Sequence, residues 1–432
     1  MSPPGSPETT GQSPPGVSTG LAVLLAVACG VAVANVYYAQ PLLEQIGHDL
    51  GVGPAGLGLV TTVTQAGYLL GLILIVPLGD LMNRRVLIVA QCGFAATALV
   101  AVAVSRQPLM FFVASGIVGA ASVVVQVVIA YAAVLSSPET RGRIVGIVTS
   151  GVVIGILLAR TVSGLLADPY GWRSVYVVSA VLMLGVALVL ARKLPPEITT
   201  RSPVSYRRSI TSVFTLTARE RVFRIRSSIT LFMFAGFGAL WGSVALPLTA
   251  APWHLSTTEV GLFGLVGAAG AVGAARAGTL ADRGRAQWVT GITLVLFAAS
   301  WAPIAWLPHS LIPVIVGIVA LNLAGQAIHV TNQHLIVELD PNASSRLIGS
   351  YMVYYAIGTG GGAIAATITY SAWGWGAVCI LGATLSAIAL LIWAGDGFSA
   401  TGSNIADEPS LTGGEPADQA ETTCVHHLPA RH

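Results

Sequence analysis

A chain of 432 residues has the length of two or three soluble domains, but its composition excludes that arrangement. Asp, Glu, Lys and Arg supply only 9% of the residues and hydrophobic residues 54%, against about 25% charge in a soluble protein, and mean hydropathy is +0.78. The charges are too few to coat a globule of this size, and a net charge of +3 is too small and too dispersed for nucleic-acid binding.

The first 19 residues are rich in Pro, Gly and Ser and hold no basic residue. Lacking a positive n-region, they are expected to form a disordered cytoplasmic tail, not a secretory signal. A bilayer crossing needs about 20 apolar residues, and such runs lie near 20–39, 55–78, 86–105, 108–135, 144–167 and 174–191. A basic connection over 192–228 follows. Six more runs come near 229–250, 257–279, 287–307, 311–337, 347–370 and 377–395, before a Gly-rich acidic tail over 396–432 that is expected to be disordered. The predicted fold is therefore an all-α polytopic membrane protein, with twelve transmembrane helices in two six-helix pseudo-symmetric halves, 20–191 and 229–395.

Basic residues set the predicted orientation. With the N-terminus inside, the cytoplasmic connections hold Arg84, Arg85, Arg141, Arg143, Arg283, Arg285 and Arg346, and the central linker nine more from Arg192 to Arg226. The opposite side holds Arg106 and Arg173 alone. A multi-pass inner-membrane protein with both termini in the cytoplasm is expected, as a monomer whose partners are a small solute and lipid. Cys29, Cys92 and Cys379 sit in apolar runs and Cys424 in the tail. No disulfide framework or metal spacing is present, and the thiols read as structural.

The two halves repeat one another. Gly79-Asp80 opens the loop after span two, and Gly278 the loop after span eight, 199 residues later. Arg143, Gly146, Gly155 and the pair Gly171-Trp172 recur 203 residues on as Arg346, Gly349, Gly358 and Gly374-Trp375. Four matches in register mark one six-helix unit used twice, a plan common among transporters.

The twelve-span duplicated plan, with Gly278-Thr279-Leu280-Ala281-Asp282-Arg283-Gly284-Arg285 between spans eight and nine, resembles the major facilitator superfamily. The segments Asn35–Leu43 (NVYYAQPLL), Gly155–Gly164 (GILLARTVSG) and Gly171-Trp172-Arg173 are similar to its bacterial drug and metabolite efflux antiporters. The resemblance implies gating by Gly79, Asp80, Arg84, Arg85, Gly278, Asp282, Arg283 and Arg285, whose contacts would hold the halves together; setting topology is the plainer role for the arginines. In the first half Asn83 stands where the family places Asp, and Asp80 is the nearby carboxylate. A glycine-rich span five implies export, although Gly151, Gly155 and Gly164 also read simply as close helix packing.

Polar residues within spans are the default site candidates. Arg160 stands out because no span interior holds Asp or Glu to pair with it. It could bind an anionic or carbonyl-bearing solute, bond backbone carbonyls, or snorkel to the outer face. In span ten, Asn322, Gln326, His329 and Gln333 recur at helical spacing and share one face. Asn35, Tyr38, Gln65 and Gln126 complete the substrate-binding candidates, with helix–helix hydrogen bonding as the alternative. His329 is the first candidate proton carrier and Asp80 the second. Aromatics at Phe232, Phe234, Phe237, Trp241, Tyr351, Tyr354 and Tyr355 either pack as core or line a pocket for a ring-bearing solute. No G-x-x-x-x-G-K-[ST] loop occurs, so the expected energy source is a proton gradient, with no cofactor, metal or catalytic residue. The expectation is a secondary transporter exporting a small organic solute against protons by alternating access. Uptake of a metabolite by a symporter or facilitator, including an anion attracted to Arg160, is the alternative, and a transport-dead sensor or scaffold a remote one.

Overall fold

A computed structural model of the protein describes residues 18–195, 206, 216–267, 286–339 and 344–406. Helices joined by turns and short irregular segments account for them, with no strand among the described residues, as the bilayer demands where no water satisfies the backbone. Span one is Thr19–Ala34, followed by tight turns and the short helix Leu43–Leu50. Spans two to six are Pro54–Leu74, Arg84–Ala103, the pair Pro108–Ser122 and Val124–Leu135, Pro138–Tyr170, and Trp172–Lys193. Span seven is Arg221–Ser243 extended by Ala245–Thr249, and span eight is described as Thr257–Val266. Span nine is Ala286–Ala299 with Trp301–Ile304, and span ten Leu311–Val337. Spans eleven and twelve lie in the helix Ser344–Ala406, broken at Gly374. The main body ends at Ala394, and residues 395–406 are helical within a second unit.

Nine helical stretches among the described residues are long and apolar enough to cross a bilayer, and Thr19–Ala34 and Thr257–Val266 are shorter apolar helices. Proline at the first turn, where no N–H partner is needed, starts spans two, four and five. Ser256 and Glu259 form a capping box at span eight. Span seven begins at Arg221, inside the segment expected to be linker. Arg226 is consequently a buried helical residue that donates to Thr290 and Gln287 of span nine. Its charge is placed against hydroxyl and amide oxygens, a solution composition could not distinguish from a loop arginine.

The duplication is visible in the packing. A side chain at Gly155 would come within 2.3 Å of the Gly30 carbonyl oxygen, so spans one and five touch backbone to backbone. Gly358, its repeat mate, holds the same relation to Leu231, joining spans seven and eleven. Such approach supplies dispersion contact where lipid offers no hydrophobic drive. Gly171 and Gly374 join spans five to six and eleven to twelve with φ of 76° and 75°, a backbone region that disfavours any residue with a Cβ.

The halves meet along one face of the bundle. There Gly164 of span five abuts the Thr257 backbone of span eight, and the Gly58 region of span two abuts Thr367 of span eleven. Thr62 donates to the Gly360 carbonyl at 2.8 Å, and Gln45 to the Thr257 hydroxyl at 2.7 Å. We term this the sealed face. Toward the opposite end of span five, Gly142 and Gly146 border open space among the described residues.

Candidate functional site

Arg160 sits on the seam. The helix that carries it is pinned by glycine packing at Gly155 and Gly164, and on the facing span Gly261 and Gly264 leave room for its backbone and its aliphatic stem. Its residue is 4% exposed, so it does not snorkel to the surface. Nε donates to Gln40 Oε1 at 2.6 Å. The guanidinium carbon lies 4.0 Å from the Trp241 ring centroid and 5.1 Å from that of Tyr37, a cation held between π faces. The Nη2 atom is buried without a hydrogen-bond partner, as is the indole nitrogen of Trp241.

Aromatic contacts extend from this point across both halves. The hydroxyls of Tyr37 and Tyr355 are 2.6 Å apart, and the Tyr68 ring meets Tyr355 edge-on at 6.5 Å. Gln126 donates to the Tyr68 hydroxyl at 3.3 Å. On the other side Phe234 packs against Tyr355 at 4.3 Å and against His329 at 5.1 Å between ring centroids. His329 Nδ1 is 2.9 Å from the Tyr351 hydroxyl, and the Gln333 amide nitrogen is 3.1 Å from His329 Nε2. With Gln333 donating to Nε2, the neutral ring carries its proton on Nδ1 and donates to Tyr351.

The structure thus brings Arg160, Gln126, His329 and Gln333 into one connected cluster. Asn35 and Tyr38 turn toward span six instead: Ser179 donates to Asn35 Oδ1 at 2.5 Å and also bonds Tyr38. Asn322 is buried and donates back to the Ile318 carbonyl at 2.8 Å, while Gln326 is half-buried. Gln65 is buried on span two with both amide atoms unpartnered. Tyr37 and Gln40 were not among the predicted binding residues, and Trp241 was named only as an aromatic that packs as core or lines a pocket. Their signal was present, in the Tyr-Tyr-Ala-Gln-Pro turn after span one and in the aromatic run of span seven. Asn332, buried one residue before Gln333, donates to Thr230 at 3.1 Å and braces span ten on span seven.

Of the predicted gating residues, Gly79 is buried against Val127 and Leu87. Arg85 donates to the Ala191 carbonyl at 2.6 Å, capping the carbonyl end of span six. A Cβ placed at Gly79 would lie 4.0 Å from Arg84 Nε. Asn83 is the N-cap of span three, its side chain accepting from Val86 N. Asn performs this role as well as Asp, which accounts physically for its standing at that position. Gly278, Asp282, Arg283 and Arg285 lie outside the described residues, as does the side chain of Asp80.

Two contacts on the sealed face were not expected. The Asp168 carboxylate at the end of span five accepts from the backbone N–H groups of Thr257 at 3.1 Å and Thr258 at 2.9 Å, an anion on the N-terminus of span eight. Asp49 receives Arg173 and the Trp172 indole nitrogen, with Arg173 also reaching the Ser105 carbonyl at 2.8 Å. The Gly-Trp-Arg motif is therefore a clasp for the first loop.

The sequence profile of the Major Facilitator Superfamily matches residues 25–359. The chain is 42% identical over 381 residues to the uncharacterized transporter YgaY of Escherichia coli O157:H7, covering 87% of this chain and 95% of that protein. It is 25% identical over 252 residues to the inner membrane transport protein YnfM of Escherichia coli K12, covering 58% and 60% of the two chains. Among solved structures it is similar to a bacterial homologue of the human lysosomal transporter Spinster in an inward-facing, unoccupied conformation. The TM-score is 0.70 at 17% identity, over 90% of this chain and 98% of that one.

Proposed function

The chain belongs to the major facilitator superfamily, and on that premise we propose that this membrane transporter exports a small organic solute in exchange for protons. It is not an enzyme; its work is moving a solute across the bilayer. The observation that carries the reading is the position of Arg160: a buried guanidinium on the seam where the two halves pack against each other at one face. A site on such a seam is exposed to each side in turn as the halves rock.

Export is supported by the Gly155–Gly164 segment, which resembles exporters and packs span five tightly on span one. The arginine distribution supports placing both termini in the cytoplasm, which makes the sealed face the outer one. His329 is the proposed proton carrier. Protonating Nε2 would set a donor against the Gln333 amide donor, break that bond and repack the cluster beside Tyr351. Asp80 is the second candidate. A buried cation on the seam, in a chain whose span interiors hold no carboxylate, also supports a second reading, uptake of an anionic metabolite.

The test is solute movement in proteoliposomes with an imposed pH gradient, combined with energised everted vesicles. Export predicts accumulation inside everted vesicles that collapses with the gradient. Accumulation only in right-side-out vesicles would replace export with uptake.

A further inference from the structure

We propose that the seam site takes a small organic monoanion, a carboxylate borne on an aromatic body, with its oxygens on Arg160 Nη2 and the Trp241 indole nitrogen. This inference rests on the transport reading and adds the solute class. Both groups are pure donors, both are buried, and neither has an acceptor among the described residues. Buried donors in native proteins are almost always partnered, and a buried charge is paired or compensated. What the site lacks is therefore an acceptor carrying negative charge. Among the described residues the protein does not supply it: the guanidinium's side-chain hydrogen bond goes to the neutral Gln40. Trp241 and Tyr37 hold the guanidinium plane through their faces, which leaves its edge for a planar, two-oxygen acceptor.

The remainder of the site fits the rest of such a molecule. Trp241 continues into Phe237 and Phe234, with centroids 6.4 Å apart between Trp241 and Phe237 and 5.9 Å apart between Phe237 and Phe234. Phe237 is only half-buried and its ring lies 6.4 Å from that of Trp241, so the aromatic run adjoins the unpartnered donors. An aromatic body can stack there while its carboxylate meets the arginine.

The experiment uses the purified full chain in nanodiscs and three probes of one shape: benzoate, neutral benzamide and cationic benzylamine. Binding is read by tryptophan fluorescence and by thermal shift. Benzoate is expected to bind the wild type, and the other two to bind at least about tenfold more weakly, the worth of one charged hydrogen bond. Arg160→Gln should lose the preference for benzoate, and Trp241→Phe should weaken benzoate binding while preserving the aromatic surface. Both variants are checked for unchanged helicity and thermal stability without probe. Arg160→Lys, which keeps the charge without the planar fork, should recover part of the preference and covers the case in which Arg160→Gln fails to fold. Equal binding of benzoate and benzamide, or undiminished benzoate preference in Arg160→Gln, overturns the proposal, as does a wild type that binds none of the three. The two readings fail separately. Gradient-driven movement of a neutral or cationic solute without benzoate binding sinks only the anion site, whereas benzoate binding without gradient-driven movement of any solute sinks only the transport mechanism.

Discussion

Replacing Asp168 with Ala should loosen the sealed face without touching the solute site. The carboxylate is bonded to two consecutive backbone N–H groups at the start of span eight, at 3.1 and 2.9 Å, and no other carboxylate among the described residues joins the halves in this way. The geometry is that of an N-cap supplied from another helix, and losing an N-cap acceptor costs about 0.5–2 kcal/mol. Asp168 is solvent-exposed, which favours a value of about 1 kcal/mol. The Gln45 bond and the Gly164 and Gly58 contacts persist, so the face should still close. The ratio of closed to open forms should then fall about fivefold. Spin labels at Tyr170 and Ala251, both exposed on this face in different halves, report the change in a cysteine-depleted background by double electron–electron resonance. A longer-distance population growing in Asp168→Ala, and reduced in Asp168→Asn where an amide oxygen can still accept, is the expected result. Identical distance distributions in wild type and Asp168→Ala would refute the latch.

Other consequences can be checked independently. His329→Asn should abolish the response of transport to an imposed pH gradient while solute counterflow continues; retained coupling to the gradient removes His329 as carrier. Gly155→Val should lower thermal stability in detergent by about 1–3 kcal/mol, the usual range for overpacking, because its Cβ would press on the Gly30 backbone at 2.3 Å, and normal stability would show that the two spans can separate freely. The Asp49 carboxyl is held below its ordinary value of 3.8, chiefly by the hydrogen bond from Arg173. Its depressed folded-state value means that the stabilisation is present above the ordinary value and is lost as pH falls through the folded one. The stability gap between wild type and Asp49→Asn, about 1 kcal/mol or less for an exposed pair, should therefore be constant near neutrality and close below about pH 4, and a gap that closes near pH 6 would point to a different group.

Much of the fold was legible in the chain because a bilayer imposes one dominant rule. Helices must be about 20 apolar residues long, so the spans could be read from hydropathy alone, and the recurrence of Gly171-Trp172 at Gly374-Trp375 disclosed the duplication. Local chemistry was legible as well: the φ of 76° at Gly171 and 75° at Gly374 explains why the repeat keeps glycine at both junctions. The start of span seven was not legible, since Arg221, Arg224 and Arg226 look like linker until Thr290 and Gln287 are seen to receive Arg226.

The site divides in the same way. Charge scarcity singled out Arg160, and helical spacing placed His329 and Gln333 on one face. Neither could reveal that Gln40 of the first loop reaches the Arg160 Nε, or that Tyr37 and Tyr355 meet 318 positions apart in sequence. Periodicity is a property of one helix, whereas a seam between two halves is made of pairs from different helices. The sequence by itself determined that this chain lies in a membrane as a duplicated bundle and singled out Arg160 within a span. Only the tertiary structure decided what surrounds that cation, because its surroundings come from spans seven and eight and the turn after span one, which share no sequence neighbourhood.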